Sequence, residues 1–307
     1  MKKMLLFVTL LFTVYSVSGQ KIYIKTFGDK NNKPIIFIHG GPSGNAVQFE
    51  ATTAKKLGER GFYVIVYDRR GEGRSVDENA KINYQEAFDD LNNLYKKYGL
   101  KKANLIGFSF GGLVTTLYAE KYPEKINSII LVSALFNQQE SYDHILSSVR
   151  KIYTEKGETE KLKKVAEVEN LDKNSAKYRG ECFALASENG YFKVVNPDKE
   201  AVKIYNDYET GDLYKSNIRN KNAPGLFYKN EPKNNINVKP VLEHLRKKGM
   251  GIYALYGKQD GIFSPSQMIG IKNLVGDKNF KFLNNCSHYL YADQQMTFLD
   301  SIEGWLR

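Results

Sequence analysis

Residues 107–111 read Gly107-Phe108-Ser109-Phe110-Gly111, a serine between glycines. A serine hydroxyl becomes a useful nucleophile only when a base takes its proton. The context favours that chemistry. Asn104 to Phe108 is an apolar, strand-like run, and Leu113 to Tyr122 has helical character before Pro123. A sharp strand-to-helix turn would lift Ser109 above the sheet edge, and its glycines permit the close approach. The helix start behind Ser109 adds partial positive charge where an oxyanion would form.

The chain has four histidines, His39, His144, His244 and His288. His288 follows the last expected strand and precedes the last expected helix, which suits a catalytic base. The base needs a carboxylate to hold its tautomer and stabilise the imidazolium. Asp260, just after the apolar run Ile252 to Tyr256, stands at a strand's C-terminal end and meets that need. Asp277 and Asp293 are rivals, one opening a strand and the other a helix. The order Ser109, Asp260, His288 is the one expected when the nucleophile sits on such a turn. Oxyanion donors are expected from the N–H of Phe110 and of Gly41, with Gly40 as the alternative. His39 reads as a loop-fixing hydrogen bonder. Within Asp68-Arg69-Arg70-Gly71-Glu72-Gly73-Arg74-Ser75, Arg69 could reach a substrate, but Asp68 and Arg74 fastening loops around the site is the preferred reading.

These groups need a scaffold. Strand-like runs at 21–27, 34–39, 62–67, 104–108 and 129–132 alternate with helical stretches at 46–60, 84–98 and 113–122. The nearly continuous apolar runs suit strands buried on both faces of a mostly parallel sheet with helices on both sides. From 137 to 239 the pattern turns helical and tyrosine-rich, reading as an inserted lid between core segments 20–136 and 240–307. Alternation then resumes through a strand at 251–256, a helix at 266–274, a strand at 279–283 and a helix at 293–306.

The motifs His39-Gly40-Gly41-Pro42, Asp68 to Ser75 and Gly107-Phe108-Ser109-Phe110-Gly111-Gly112 resemble the proline iminopeptidase (prolyl aminopeptidase) branch of the α/β-hydrolase fold. Arg69 stands where that branch usually has Gln, and Phe110 where it has Trp. The resemblance implies an α/β-hydrolase fold with a helical lid and an aminopeptidase releasing proline or a small N-terminal residue from short peptides. Glu188-Asn189-Gly190-Tyr191-Phe192 is similar to a lid segment whose glutamate binds the substrate's free amino terminus. This implies Glu188 as the amine anchor, although Gly190 replaces the family's His. A second acid is expected, with Glu209 and Glu231 as candidates. A carboxylesterase, or another acyl hydrolase on small esters or amides, is the alternative, because one triad serves many substrates. The serine argues against aspartate-nucleophile hydrolases, and the complete triad against a catalytically silent binding protein.

The net charge of +11 is spread over basic helices and loops, without an aromatic-studded stripe, so nucleic acid is not an expected partner. Met1-Lys2-Lys3 followed by the apolar stretch Met4 to Val17 and small residues reads as a signal peptide over 1–19, shorter than a membrane span. An exported protein, periplasmic or secreted, is expected. Cys182 and Cys286 could pair in that setting or remain buried thiols. Their spacing suits no metal site, and no cofactor is implied.

Overall fold

In a computed structural model of the protein, residues 22–307 are described. The expected signal peptide over 1–19 lies outside the described residues. Seven strands form one sheet: β1 (Ile24–Phe27), β2 (Lys33–Ile38), β3 (Phe62–Tyr67), β4 (Ala103–Phe108), β5 (Ile126–Val132), β6 (Gly251–Gly257) and β7 (Phe280–Leu283). Their order is β1-β3-β2-β4-β5-β6-β7, with only β1 antiparallel to its neighbour.

The sheet is buried on both faces because its strands carry apolar side chains at consecutive positions. On β2, Ile36 and Ile38 pack into one core, while Ile35 and Phe37 pack into the other. Full burial of one such side chain is worth about 1.5–3 kcal/mol. Two interior layers therefore hold β2 and β4 in register, Ile38 opposite Gly107. Strand order reverses at this β2/β4 pair, since β3 lies to one side and β4 to the other. The ends of β2 and β4 thus open onto the crevice where α/β sheets bind ligands.

Between β5 and β6 the chain forms the helices Gln138–Glu155, Thr159–Glu169, Ala176–Glu188, Lys199–Thr210 and Ala223–Asn230 before Lys239–Lys247 returns to the sheet. The first three pack on one another, and Lys199–Thr210 packs against Leu290–Asp293. Polar ties bind this insertion to loops at the strand ends. Arg179 Nη2 donates to Gly41 O at 2.6 Å, Asn45 Nδ2 to Ile218 O at 2.8 Å, and Asn220 Nδ2 to Gly71 O at 2.7 Å. Among the described residues, no helix is long and apolar enough to cross a membrane.

Candidate active site

β4 ends at Phe108 and the helix Gly111–Lys121 begins three residues later, so Ser109 makes the turn. Its φ is 52°, a left-handed conformation that costs a non-glycine residue about 1–3 kcal/mol. Three backbone hydrogen bonds hold it there. Ser109 N–H donates to Val132 O at 3.1 Å, while Ser109 O accepts from Gly112 and Leu135 N–H, each at 2.9 Å. Gly111 is needed because a Cβ there would collide with the Ile38 carbonyl of the neighbouring strand end.

His288 lies between β7 and the helix Leu290–Asp293. Its Nδ1 pairs with Asp260 Oδ2 at 2.8 Å, both side chains being buried. With Nδ1–H donating to Asp260, Nε2 is left as the proton acceptor. Asp260 Oδ1 accepts a hydrogen bond from Ile262 N–H at 3.2 Å, which sets the carboxylate's angle. The imidazole packs between Phe108 and Phe192, with ring centroids 5.1 and 5.3 Å away. Ser109 and His288 line one cavity of about 1040 Å³ under the helical insertion. The fold thus pairs His288 with Asp260 and sets His288 and Ser109 on one cavity wall.

Neither rival acid meets His288. Asp277 is exposed beside Lys272 at 3.4 Å. Asp293 is buried and accepts from Ser287 N–H at 2.8 Å, Ser287 Oγ at 2.7 Å and the Tyr205 hydroxyl at 2.7 Å. Burial raises its pKa, and these donors tie the histidine loop to the insertion.

The loop after β2 crosses in front of Ser109. A Cβ added to Gly40 would stand 3.1 Å from Ser109 Cβ, so the Gly40–Gly41 backbone passes close to the nucleophile. Gly41 has φ 154° and leaves no room for a side chain, since a Cβ would meet Arg69 Nη2 at 2.5 Å and Glu72 Oε1 at 2.7 Å. The second expected donor, Phe110 N–H, sits at the start of the Gly111–Lys121 helix. The Phe110 ring is buried, stacked on Tyr84 at 5.9 Å and edge-on to Phe227 at 5.1 Å.

Sequence reading missed what fixes this loop. Arg69 and Glu72 form a buried ion pair at 2.8 Å, their side chains 4% and 2% exposed. Glu72 Oε1 accepts from Ser43 N–H at 2.6 Å and Gly44 N–H at 3.1 Å, while Arg69 Nη2 donates to Gly40 O at 2.8 Å. Arg69 is not on the cavity wall, so it fastens the loop instead of touching substrate. The available signal was an acid three residues after an arginine in a glycine-broken loop, beside a Gly-Gly turn with amides to satisfy. Asp68 does the neighbouring job, accepting from Ala46 N–H at 2.8 Å and from Arg74 Nε at 2.7 Å. His39 Nε2 accepts from Arg69 N–H at 3.0 Å, so Nδ1 donates to Gly40 O at 2.6 Å. Burial, then the Arg69 charge, pushes the His39 pKa down to about 4, which keeps the ring neutral.

The lid acids require correction. Glu188 does not line the cavity; its side chain is 50% exposed and pairs with Lys161 at 3.0 Å. Phe183, Ala184 and Ser187 occupy the cavity face of the helix, and Glu188 lies one residue, or about 100°, round from Ser187. Glu231 is also outside, accepting from Tyr84 N–H at 3.1 Å at the start of the helix Tyr84–Lys97. Glu209 is on the cavity wall and exposed. Cys182 and Cys286 are both buried free thiols, so the pairing alternative is not realised.

A family model described as the alpha/beta hydrolase fold matches residues 33–295. The chain belongs to the α/β-hydrolase family. A proline iminopeptidase of Lactobacillus delbrueckii subsp. bulgaricus is 24% identical over 299 residues, covering 92% of this chain and 93% of the relative. Among solved structures, the proline iminopeptidase of Mycobacterium smegmatis superposes with a TM-score of 0.66 at 15% identity, covering 94% of this chain and 95% of that one. A structure from a study of Nitrososphaera gargenis carboxylesterases reaches a TM-score of 0.60 at 20% identity, covering 94% and 96%. Both structural likenesses speak for this fold.

Proposed function

We propose that this α/β hydrolase is a serine acyl hydrolase that cleaves small esters or amides through an acyl-enzyme on Ser109. The His288–Asp260 pair opening onto the same cavity as the strained Ser109 turn carries this reading. Ser109 Oγ attacks the scissile carbonyl carbon as its proton passes to His288 Nε2. Asp260 stabilises the imidazolium. The negative oxygen is met by N–H groups of Phe110 and of Gly41 or Gly40. The leaving group takes the proton from His288, and water, activated by the same histidine, releases the acid and frees Ser109.

Release of an N-terminal residue, proline or small, from a short peptide is the second reading. It is supported by the relatives' names and by one wall acid, Glu209, that could pair with a substrate ammonium. Export of the protein is part of the same proposal and rests on the N-terminal sequence.

Hydrolysis of para-nitrophenyl butyrate beside the free and N-acetylated para-nitroanilides of proline and alanine tests both. Ester cleavage lost in Ser109→Ala supports the acyl hydrolase. Cleavage confined to free-amine anilides, and weakened in Glu209→Gln, would replace it with the aminopeptidase. Full activity of Ser109→Ala would defeat both.

A further inference from the structure

The cavity wall carries more positive charge than either reading uses. Arg179, Lys193 and Arg219 line it, and among the described residues none has a carboxylate within salt-bridge distance. Two acids share the wall. Asp293 is occupied by Ser287 and Tyr205, which leaves Glu209.

Arg179 is held in place. Its guanidinium lies 4.8 Å over the Phe183 ring and its Nη2 donates to Gly41 O, while its buried Nε has no partner. Arg219 stands beside the hydroxyl of Tyr289, the residue after His288. One arginine therefore meets the glycine loop, the other stands by the residue after the histidine, and both share the cavity wall with Ser109. The half-buried Arg179 guanidinium favours a planar anion through charge-assisted, bidentate hydrogen bonds, and the exposed Arg219 adds positive charge on the same wall. A substrate ammonium would instead face this unbalanced positive field.

We infer that the substrate carries a carboxylate near the scissile bond, gripped by Arg179 and Arg219 with Lys193 at the rim. This deepens the reading of Ser109 as nucleophile and rests on it. A dicarboxylic half-ester or half-amide, or an ester of a carboxylated alcohol or phenol, is the matching chemical class.

Two matched pairs of esters test it at low salt. Para-nitrophenyl hydrogen glutarate against para-nitrophenyl butyrate puts the charge on the acyl side; para-carboxyphenyl butyrate against phenyl butyrate puts it on the leaving side. The expected result is a higher kcat/KM for the anionic member of at least one pair. That ratio should fall on the order of tenfold in Arg219→Gln, and also as salt is raised. It should hold in Lys221→Gln, a nearby lysine off the cavity wall. Arg179→Lys, which keeps charge but not the planar fork, should lower the ratio less than Arg179→Gln. Neutral members preferred in both pairs, or a ratio indifferent to Arg219, would overturn the inference. If Ser109→Ala abolishes hydrolysis of all four esters while the ratios stay flat, this inference alone fails. If Ser109→Ala stays active, the reading beneath it fails as well.

Discussion

The buried Arg69–Glu72 pair offers a sharp test because its effects on stability and on catalysis separate. Glu72→Gln removes the charge that balances Arg69 in a site almost closed to water. Breaking one half of a buried pair costs about 3–5 kcal/mol. The glutamine oxygen still accepts from Ser43 or Gly44, and Arg69 keeps its bonds to the His39 and Gly40 carbonyls, so about 3 kcal/mol is expected. In a domain of this size that lowers Tm by roughly 6–10 °C. The loop beside Ser109 would loosen at the same time. Losing one well-placed oxyanion donor lowers kcat about 100-fold or more, and a loosened Gly40–Gly41 segment should approach that loss with KM little changed. The double variant Arg69→Met/Glu72→Met decides the matter. It removes the uncompensated charge, so it should be no less stable than Glu72→Gln. It supplies no acceptor for the Ser43 and Gly44 amides, so kcat should stay low. Thermal melts and para-nitrophenyl butyrate kinetics on the three proteins measure both quantities. Wild-type kcat in Glu72→Gln, or recovered kcat in the double variant, would refute the positioning argument.

The neutral, buried His39 predicts acid sensitivity. Its folded pKa of about 4 lies below the usual 6.5, so the unfolded chain binds the proton first as pH falls. The stabilising contribution is complete above pH 6.5 and is lost towards pH 4, to a total of about 3 kcal/mol. Urea unfolding across that range should show it, and His39→Gln should flatten that part of the profile; an unchanged profile would exclude the histidine. Glu188→Gln should leave kcat/KM intact on every substrate, since its carboxylate meets Lys161 outside the cavity; a loss above about tenfold would restore it to the site. Cys182 and Cys286 are buried thiols whose pKa burial raises, Cys182 to about 12, so both should react with a thiol reagent only on unfolding, and reductant should not move Tm. Gly111→Ala should fail to fold or lose most activity, because its methyl meets the Ile38 carbonyl; a stable, active variant would contradict the packing.

Much of the scaffold was legible because buried parallel strands leave continuous apolar runs. The expected strand at 62–67 is found as Phe62–Tyr67, and that at 104–108 as Ala103–Phe108. Glycines misled at one boundary. The helix expected from Leu113 begins at Gly111, where close packing against β2 outweighs poor helix propensity. Two irregularities left no signal: the π-helical turn Glu50–Ala54 within the first helical stretch, and the break at Gln294 in the last. At the site, Ser109, Asp260 and His288 could be read because each follows or precedes a recognisable element. Glu188 could not be placed by resemblance, because a match along the chain does not say which side of a helix faces inward. Arg179 was invisible for the same reason, and Arg219, in the irregular stretch before the helix Ala223–Asn230, because its approach to the cavity depends on how the insertion folds back.

The central claim is that Ser109 forms the acyl-enzyme with His288 as its base. Stopped-flow release of para-nitrophenol from para-nitrophenyl butyrate, with intact-mass analysis of acid-quenched samples, tests it most directly. One butyryl group per chain, localised to Ser109, should accumulate where deacylation limits turnover, be absent in Ser109→Ala and form far more slowly in His288→Ala. Turnover in Ser109→Ala, or an acyl group carried on another residue, would contradict it.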